Sequence, residues 1–173
     1  MKTLSGVLII SILFISAISC EKENKNDISD QKIYFEYYSI NLAWGLLYKH
    51  WIIDNQGNVR ENKVRDSIIW INPENLNDYV DMFDTVIYKV DKTELDYYAG
   101  LISKAATGEI DTIDQYRPDY GGHGYNCFYR KDNKYIKVIL SMMSANEDLK
   151  NIDTNAIKID TWLKNLQSDI FPR

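Results

Sequence analysis

The order in which hydrophobic periodicities follow one another constrains this fold more than any other feature of the chain. Strand-type stretches come first, helix-type stretches follow in a block, and a hairpin and one more helix close it. Residues 32–42 are rich in β-branched and aromatic types and predict a strand. Residues 43–54 predict a second extended segment with Trp44, Leu46, Trp51 and Ile53 available to a core. The Asx and Gly content of 54–58 predicts a turn, with 59–64 as the return strand and 66–71 as a short apolar run, strand or helix lead-in. Asn72-Pro73-Glu74 has the form of a helix start, and Leu76, Tyr79, Val80 and Phe83 then recur on one helical face. A short strand at 85–90 is followed by Asp91-Lys92-Thr93-Glu94, which has capping-box spacing with Asp in place of Ser or Thr. Leu95, Tyr98, Ala99 and Ile102 continue at helical spacing to a stop at Gly108. Residues 109–124 predict a long irregular stretch, and 125–130 with 135–142 the clearest hairpin, turning at 131–134. The last helix begins near Asp153-Thr154 and sets Ala156, Ile159, Trp162, Leu163 and Leu166 on one face. This is not the alternation of a parallel sheet. It predicts an α+β class: an antiparallel sheet built from hairpins, with about three helices packed on one face. No internal repeat of fixed period is present.

The N-terminus divides the chain further. Lys2 supplies a short positive region, residues 7–18 are apolar except for Ser11 and Ser16, and the small residues Ala17 and Ser19 precede Cys20. That is the layout of a cleaved secretory signal, and the apolar run is shorter than the roughly 20 residues that span a bilayer. The run Ala17-Ile18-Ser19-Cys20 resembles the lipobox of bacterial lipoproteins, with Ala17 where that class usually has Leu. The resemblance implies removal of residues 1–19, a diacylglycerol on the Cys20 thiol, and acylation of the new amino group with fatty acids such as palmitate. Each buried methylene then contributes about 0.8 kcal/mol to anchoring. Residues 20–31 are polar and charged and read as a flexible tether, leaving 32–173 as one α+β domain. The acidic residues Glu21 and Glu23 resemble an export signal of surface lipoproteins in Bacteroidetes-type bacteria, with a plain linker as the other reading.

Charge and cysteine content exclude several function classes. The net charge is −5 with no basic run, which argues against nucleic acid. With Cys20 acylated, Cys127 has no intramolecular partner, so no disulfide framework exists. Two His and one free Cys give no zinc site of Cys and His spacing, and no cofactor or metal is expected. Thirteen Tyr and four Trp are the unusual part of the composition. Such residues fill cores, but they also build sugar platforms and protein interfaces.

Few stretches carry chemistry. Asp54, Gln56 and Asn58 begin like a calcium loop, but Val59 and Arg65 stand where Gly and Glu are required, so a hairpin turn is the reading. Asp111, Asp114 and Asp119 form an acidic loop without ligand spacing. Residues 121–127, Gly-Gly-His-Gly-Tyr-Asn-Cys, place His123 four residues from Cys127, but no protease signature surrounds them and Cys in a strand is normally a small buried hydrophobe. Core or surface packing is the default for His50. Trp44, Tyr48 and Trp51 suggest a sugar platform, with core packing as the commoner use. No nucleophile elbow, HExxH helix or Walker loop is present.

Tyr34-Phe35-Glu36-Tyr37, Ala43-Trp44-Gly45, Ile53-Asp54 with Gly57-Asn58-Val59, the late hairpin and the closing Trp162-Leu163 helix together resemble uncharacterised small lipoproteins of Bacteroidetes-type bacteria. The resemblance implies an address and no activity. The expectation is a lipid-anchored cell-envelope protein of the outer membrane, a non-enzymatic domain binding a protein or a glycan. Its candidate binding loop comprises Asp111, Asp114, Tyr116, Asp119, Tyr120, His123 and Tyr125. One alternative is a small envelope hydrolase using His123 with Cys127 or a loop Asp. Another is an inhibitor or immunity-type protein for a secreted enzyme.

Overall fold

The computed structural model describes residues 31–43, 45–62, 67–118 and 121–172. The leader, Cys20, the tether through residue 30, Trp44, residues 63–66, Asp119, Tyr120 and Arg173 lie outside the described residues. Eight strands form one sheet: β1 (Ile33–Asn41), β2 (Leu47–Asp54), β3 (Asn58–Glu61), β4 (Thr85–Lys89), β5 (Ile110–Asp114), β6 (Gly122–Lys131), β7 (Lys134–Ser144) and β8 (Glu147–Asn151). Their order is β4-β3-β2-β1-β6-β7-β8-β5, and every neighbouring pair is antiparallel. Three α-helices accompany them: α1 (Lys92–Ala99), α2 (Ile102–Ala105) and α3 (Thr154–Ile170). The α+β antiparallel architecture is as the sequence predicts.

Two chain-order meanders, β1 to β4 and β6 to β8, meet where β1 pairs with β6. Helices α1 and α2 carry the chain from one edge strand, β4, to the other, β5. Strand alternation sends Phe35, Tyr37, Trp51, Ile53, Cys127 and Val138 to the face on which Leu95, Ile102, Ile159 and Leu163 of the helices pack. A bulge in β1 between Ile33 and Phe35 lets the consecutive Tyr34 and Phe35 both join that face. All five predicted α3 residues are buried. Full burial of a side chain such as Ile159 or Leu163 contributes about 1.5–3 kcal/mol. Asp91 caps α1 by accepting from the Thr93 and Glu94 amides, and Asp153 caps α3 by accepting from those of Asn155 and Ala156.

The structure departs from the sequence reading in several places. The segment Pro73–Met82 begins as predicted, with Asn72 Oδ1 accepting from the Glu74 amide at 3.0 Å, but it winds as 3₁₀ helix broken at Asn75 (φ −126°, ψ 36°). Asn75, Asn77 and Asp78 are weak helix formers. Leu76 and Phe83 pack with Ile33, Ile52, Ile71 and Phe128 on the sheet face opposite the α-helices, while Tyr79 and Val80 are only half-buried. The predicted irregular stretch 109–124 contains β5, which pairs with β8. The return strand ends at Glu61, and Leu46 is exposed rather than in the core. Gln31, the last residue of the expected tether, is buried, and its amide donates to the Ile33 and Phe128 carbonyls at 2.7 and 2.6 Å. The predicted hairpin turn is two residues, Asp132 and Asn133, both at positive φ, the geometry that matches strand twist.

Candidate functional site

The predicted loop residues other than Asp119 and Tyr120, which lie outside the described residues, fall into two places. Asp111 and Asp114 lie on the exposed edge strand β5, opposite Lys150 and Glu147 of β8. Their spacing puts them on opposite faces of the strand. Tyr116 follows, 80 % exposed. His123 and Tyr125 instead sit on β6, three strands and about 14 Å from β5. They share a pocket of about 530 Å³ with Tyr37 and with Lys164, Gln167, Ser168 and Phe171 of α3 or its end. The Tyr125 hydroxyl donates to Gln167 Oε1, and its ring lies 4.9 Å from Tyr37. Burial pushes the His123 imidazole below its ordinary value, and Lys164 adds to this against the pull of Asp148. Asp148 is held low by its hydrogen bonds from Arg117, at 2.7 Å to each oxygen.

Cys127 lies on the same face of β6 as His123, four residues along, which is about 13 Å. It is fully buried, and burial pushes its thiol well above the ordinary range. A nucleophilic cysteine needs the reverse. The Asp54 carboxylate is taken up by the turn: it accepts from the Gln56 and Asn58 amides, from Asn58 Nδ2 and from Arg60 Nε at 2.6–2.9 Å. Tyr48 and Trp51 are both buried and project from opposite faces of β2, so they share no sugar platform. Among the described residues no group of three or more His, Cys, Asp or Glu could hold a metal ion, and no helix is long and apolar enough to cross a membrane.

The face bearing the α-helices carries a second, more aromatic groove of about 610 Å³ between β4, α1 and α3. Its floor is Trp162, on which Tyr98 lies flat at 4.2 Å with an interplanar angle of 10°. Phe35 meets Trp162 edge-on from the core at 5.0 Å, and Trp162 Nε1 donates to Glu94 Oε1 at 2.8 Å. The floor is therefore fixed from below and from the side. Tyr97 and Tyr88 stand at the rim, 55 % and 42 % exposed, and Lys158, Asn165 and Asp169 add hydrogen-bonding groups. Flat aromatic surface ringed by polar groups is what a sugar ring requires, an apolar face and a set of hydroxyl partners. The sequence places Tyr98 and Trp162 on core-facing stripes. The signal it offers for the groove is Tyr97, an aromatic residue off that stripe.

A third cluster was invisible in the sequence. Glu36, on the face opposite the α-helices, accepts from His50 Nε2 at 3.0 Å, from Lys137 Nζ at 3.0 Å and from Asn126 Nδ2 at 2.9 Å. His50 Nδ1 is hydrogen-bonded to the Tyr48 hydroxyl, which donates to the Ile69 carbonyl at 2.8 Å. Phe83 closes over the imidazole edge-on at 4.6 Å. Glu36 and His50 are each 1 % exposed and bonded to one another, while the Lys137 side chain is 26 % exposed, so the carboxylate and imidazole tie the strands together from within the sheet.

Comparison of the chain with protein-family models, with curated proteins and with solved structures finds no match in any of the three.

Proposed function

We propose that this chain is a lipid-anchored binding domain of the bacterial cell envelope, held at the outer membrane through acyl chains on Cys20, and that it takes a glycan in the groove between β4, α1 and α3. The address rests on the leader and its lipobox-like end. The observation that carries the ligand class is the Tyr98–Trp162 stack, with the exposed rings of Tyr97 and Tyr88 beside it. Exposed tyrosines lose little conformational entropy on binding, which suits them to recognition.

A panel of envelope and dietary oligosaccharides, titrated while tryptophan emission is followed, tests the reading. A binding glycan should perturb Trp162, and Tyr97→Ala should weaken binding about threefold to tenfold, the equivalent of about 0.5–1.5 kcal/mol for one aromatic contact. No response from any glycan sinks it. A protein ligand, as for an inhibitor or immunity-type protein, is the second reading. It is favoured by the open edge of β4, where Val86 is 51 % exposed next to the groove. A stoichiometric protein recovered by crosslinking in the native envelope would select it. The hydrolase alternative draws no support from a sealed Cys127 or from Asp111 and Asp114, three strands away from His123.

A further inference from the structure

We propose that Leu42, Leu46 and Leu47 at the tip of the β1–β2 hairpin, with Trp70 beside them, dock on the lipid bilayer and seat the domain against the membrane in which Cys20 is anchored. The proposal rests on the lipid-anchored reading above. The tip reads Leu-Ala-Trp-Gly-Leu-Leu, six residues without a charge and with no hydrogen-bonding side chain besides the Trp44 indole. Leu42 and Leu47 are 61 % and 59 % exposed, Leu46 is 38 % exposed, and Trp70, at the same end of the sheet, is 58 % exposed. Isolated exposed apolar residues are ordinary, but several of them at one end of the sheet mark an interaction surface.

The base of the tip is firm. Tyr38, Ile40 and Tyr48 are buried there against Ile68 in a cluster separate from both cores, and Trp70 meets Tyr38 edge-on at 5.5 Å. Two arguments select a bilayer as the occupant. Hydrocarbon takes leucine without partner geometry, and the bilayer interface favours tryptophan, here the exposed Trp70. The tether also reaches. β1 runs from Ile33 to Asn41, so the tip lies about 26 Å from the start of the domain at 3.3 Å per residue. Residues 20–31 can extend to about 40 Å, enough for the acyl chains and the tip to enter one leaflet.

The acylated full-length protein in phosphatidylethanolamine–phosphatidylglycerol vesicles, with and without lipids brominated on their acyl chains, provides the test. Trp51 and Trp162 are buried within the protein and Trp70 is exposed, so quenching by bromine reads Trp70. The expected result is loss of emission in brominated vesicles only. The double variant Leu42→Asp with Leu47→Asp alters exposed positions, and should abolish that quenching while the acyl chains keep the protein on floating vesicles. Wild-type protein that floats unquenched overturns the proposal and leaves the anchor standing. A double variant quenched like wild type overturns the assignment to the tip. Wild-type protein that floats unquenched and forms a dimer that the double variant breaks makes the tip a self-association surface instead. Wild-type protein that fails to float overturns the anchor and the proposal together.

Discussion

Glu36 and His50 meet at 3.0 Å as diagonal neighbours across β1 and β2, both sealed from solvent, with Phe83 over the imidazole. The pair also ties in the two strands on the other side of β1: Asn126 of β6 and Lys137 of β7 reach the second carboxylate oxygen. One carboxylate thus joins four consecutive strands of the sheet. Removing it leaves the buried donors of His50 and Asn126 unpaired and the partly exposed Lys137 without its partner, so Glu36→Ala should destabilise the domain by about 3–5 kcal/mol. Glu36→Gln keeps one acceptor and should cost less. Urea denaturation of the two variants gives the comparison, and a loss below 1 kcal/mol for Glu36→Ala would show that the network is slack.

The same carboxylate fixes an acid sensitivity. Burial alone would raise Glu36, but the hydrogen bond from His50 and the charge of Lys137 outweigh it and hold the group below its ordinary value of 4.5. The unfolded chain therefore takes up the proton first as pH falls. The stabilisation is present in full above the ordinary carboxylate range and is lost progressively as pH drops through the lowered folded value. The melting temperature of wild type should fall on acidification below about pH 5 more steeply than that of Glu36→Gln. Parallel curves would remove Glu36 from the acid response.

Gly57 provides a sharper test of the β2–β3 turn. Its φ is +80°, and a Cβ there would lie 2.8 Å from the Val90 carbonyl oxygen. The Val90 amide also donates to the Gly57 carbonyl at 2.9 Å, so the turn is clamped to the start of α1. Gly57→Ala meets both a left-handed backbone and fixed main chain, and should cost about 1–3 kcal/mol. Thermal unfolding measures it, and an unchanged midpoint would mean that the clamp gives way freely.

Much of this fold was legible because the decisive segments are strongly patterned. The buried stripe of α3, its Asp153 cap and the Asp132-Asn133 turn all follow from local rules that tertiary packing did not overrule. The 3₁₀ segment misled because Leu76, Tyr79, Val80 and Phe83 have helical spacing, while the asparagines among them set the local winding. β8 (Glu-Asp-Leu-Lys-Asn) and β5 (Ile-Asp-Thr-Ile-Asp) look like loop because they are polar strands at the sheet margin, held by main-chain pairing. The groove and the Glu36 network were hidden for a different reason. Glu94 and Trp162 are 68 residues apart and Glu36 and Asn126 are 90 apart, and no local pattern reports such pairs.

Cys127 should behave as a core residue. It is fully buried among Phe35, Trp51 and the helix face, and its thiol is held protonated by that burial. A thiol reagent at neutral pH should leave the folded protein unlabelled and modify Cys127 once denaturant is added. Rapid labelling of the native protein would restore the nucleophile reading and place a channel to β6 where none is described.

Trp162 and Tyr97 share the groove but should respond differently to substitution. Trp162 is buried at 6 % exposure, carries Tyr98 on one side and Phe35 on another, and donates to Glu94. Trp162→Ala would therefore remove core and groove together at about 3–5 kcal/mol, and loss of ligand in that variant would say little. Trp162→Phe keeps a ring on the floor and removes the indole donor, at a cost near 1 kcal/mol for one hydrogen bond. Tyr97 is mostly solvent-exposed, so Tyr97→Ala should change stability by no more than about 0.5 kcal/mol. Glycan affinity that falls in Tyr97→Ala at unchanged melting temperature assigns the groove to recognition. Equal affinity in wild type and Tyr97→Ala leaves the aromatic stack as packing alone, and moves the search for the ligand to the pocket of His123 and Tyr125.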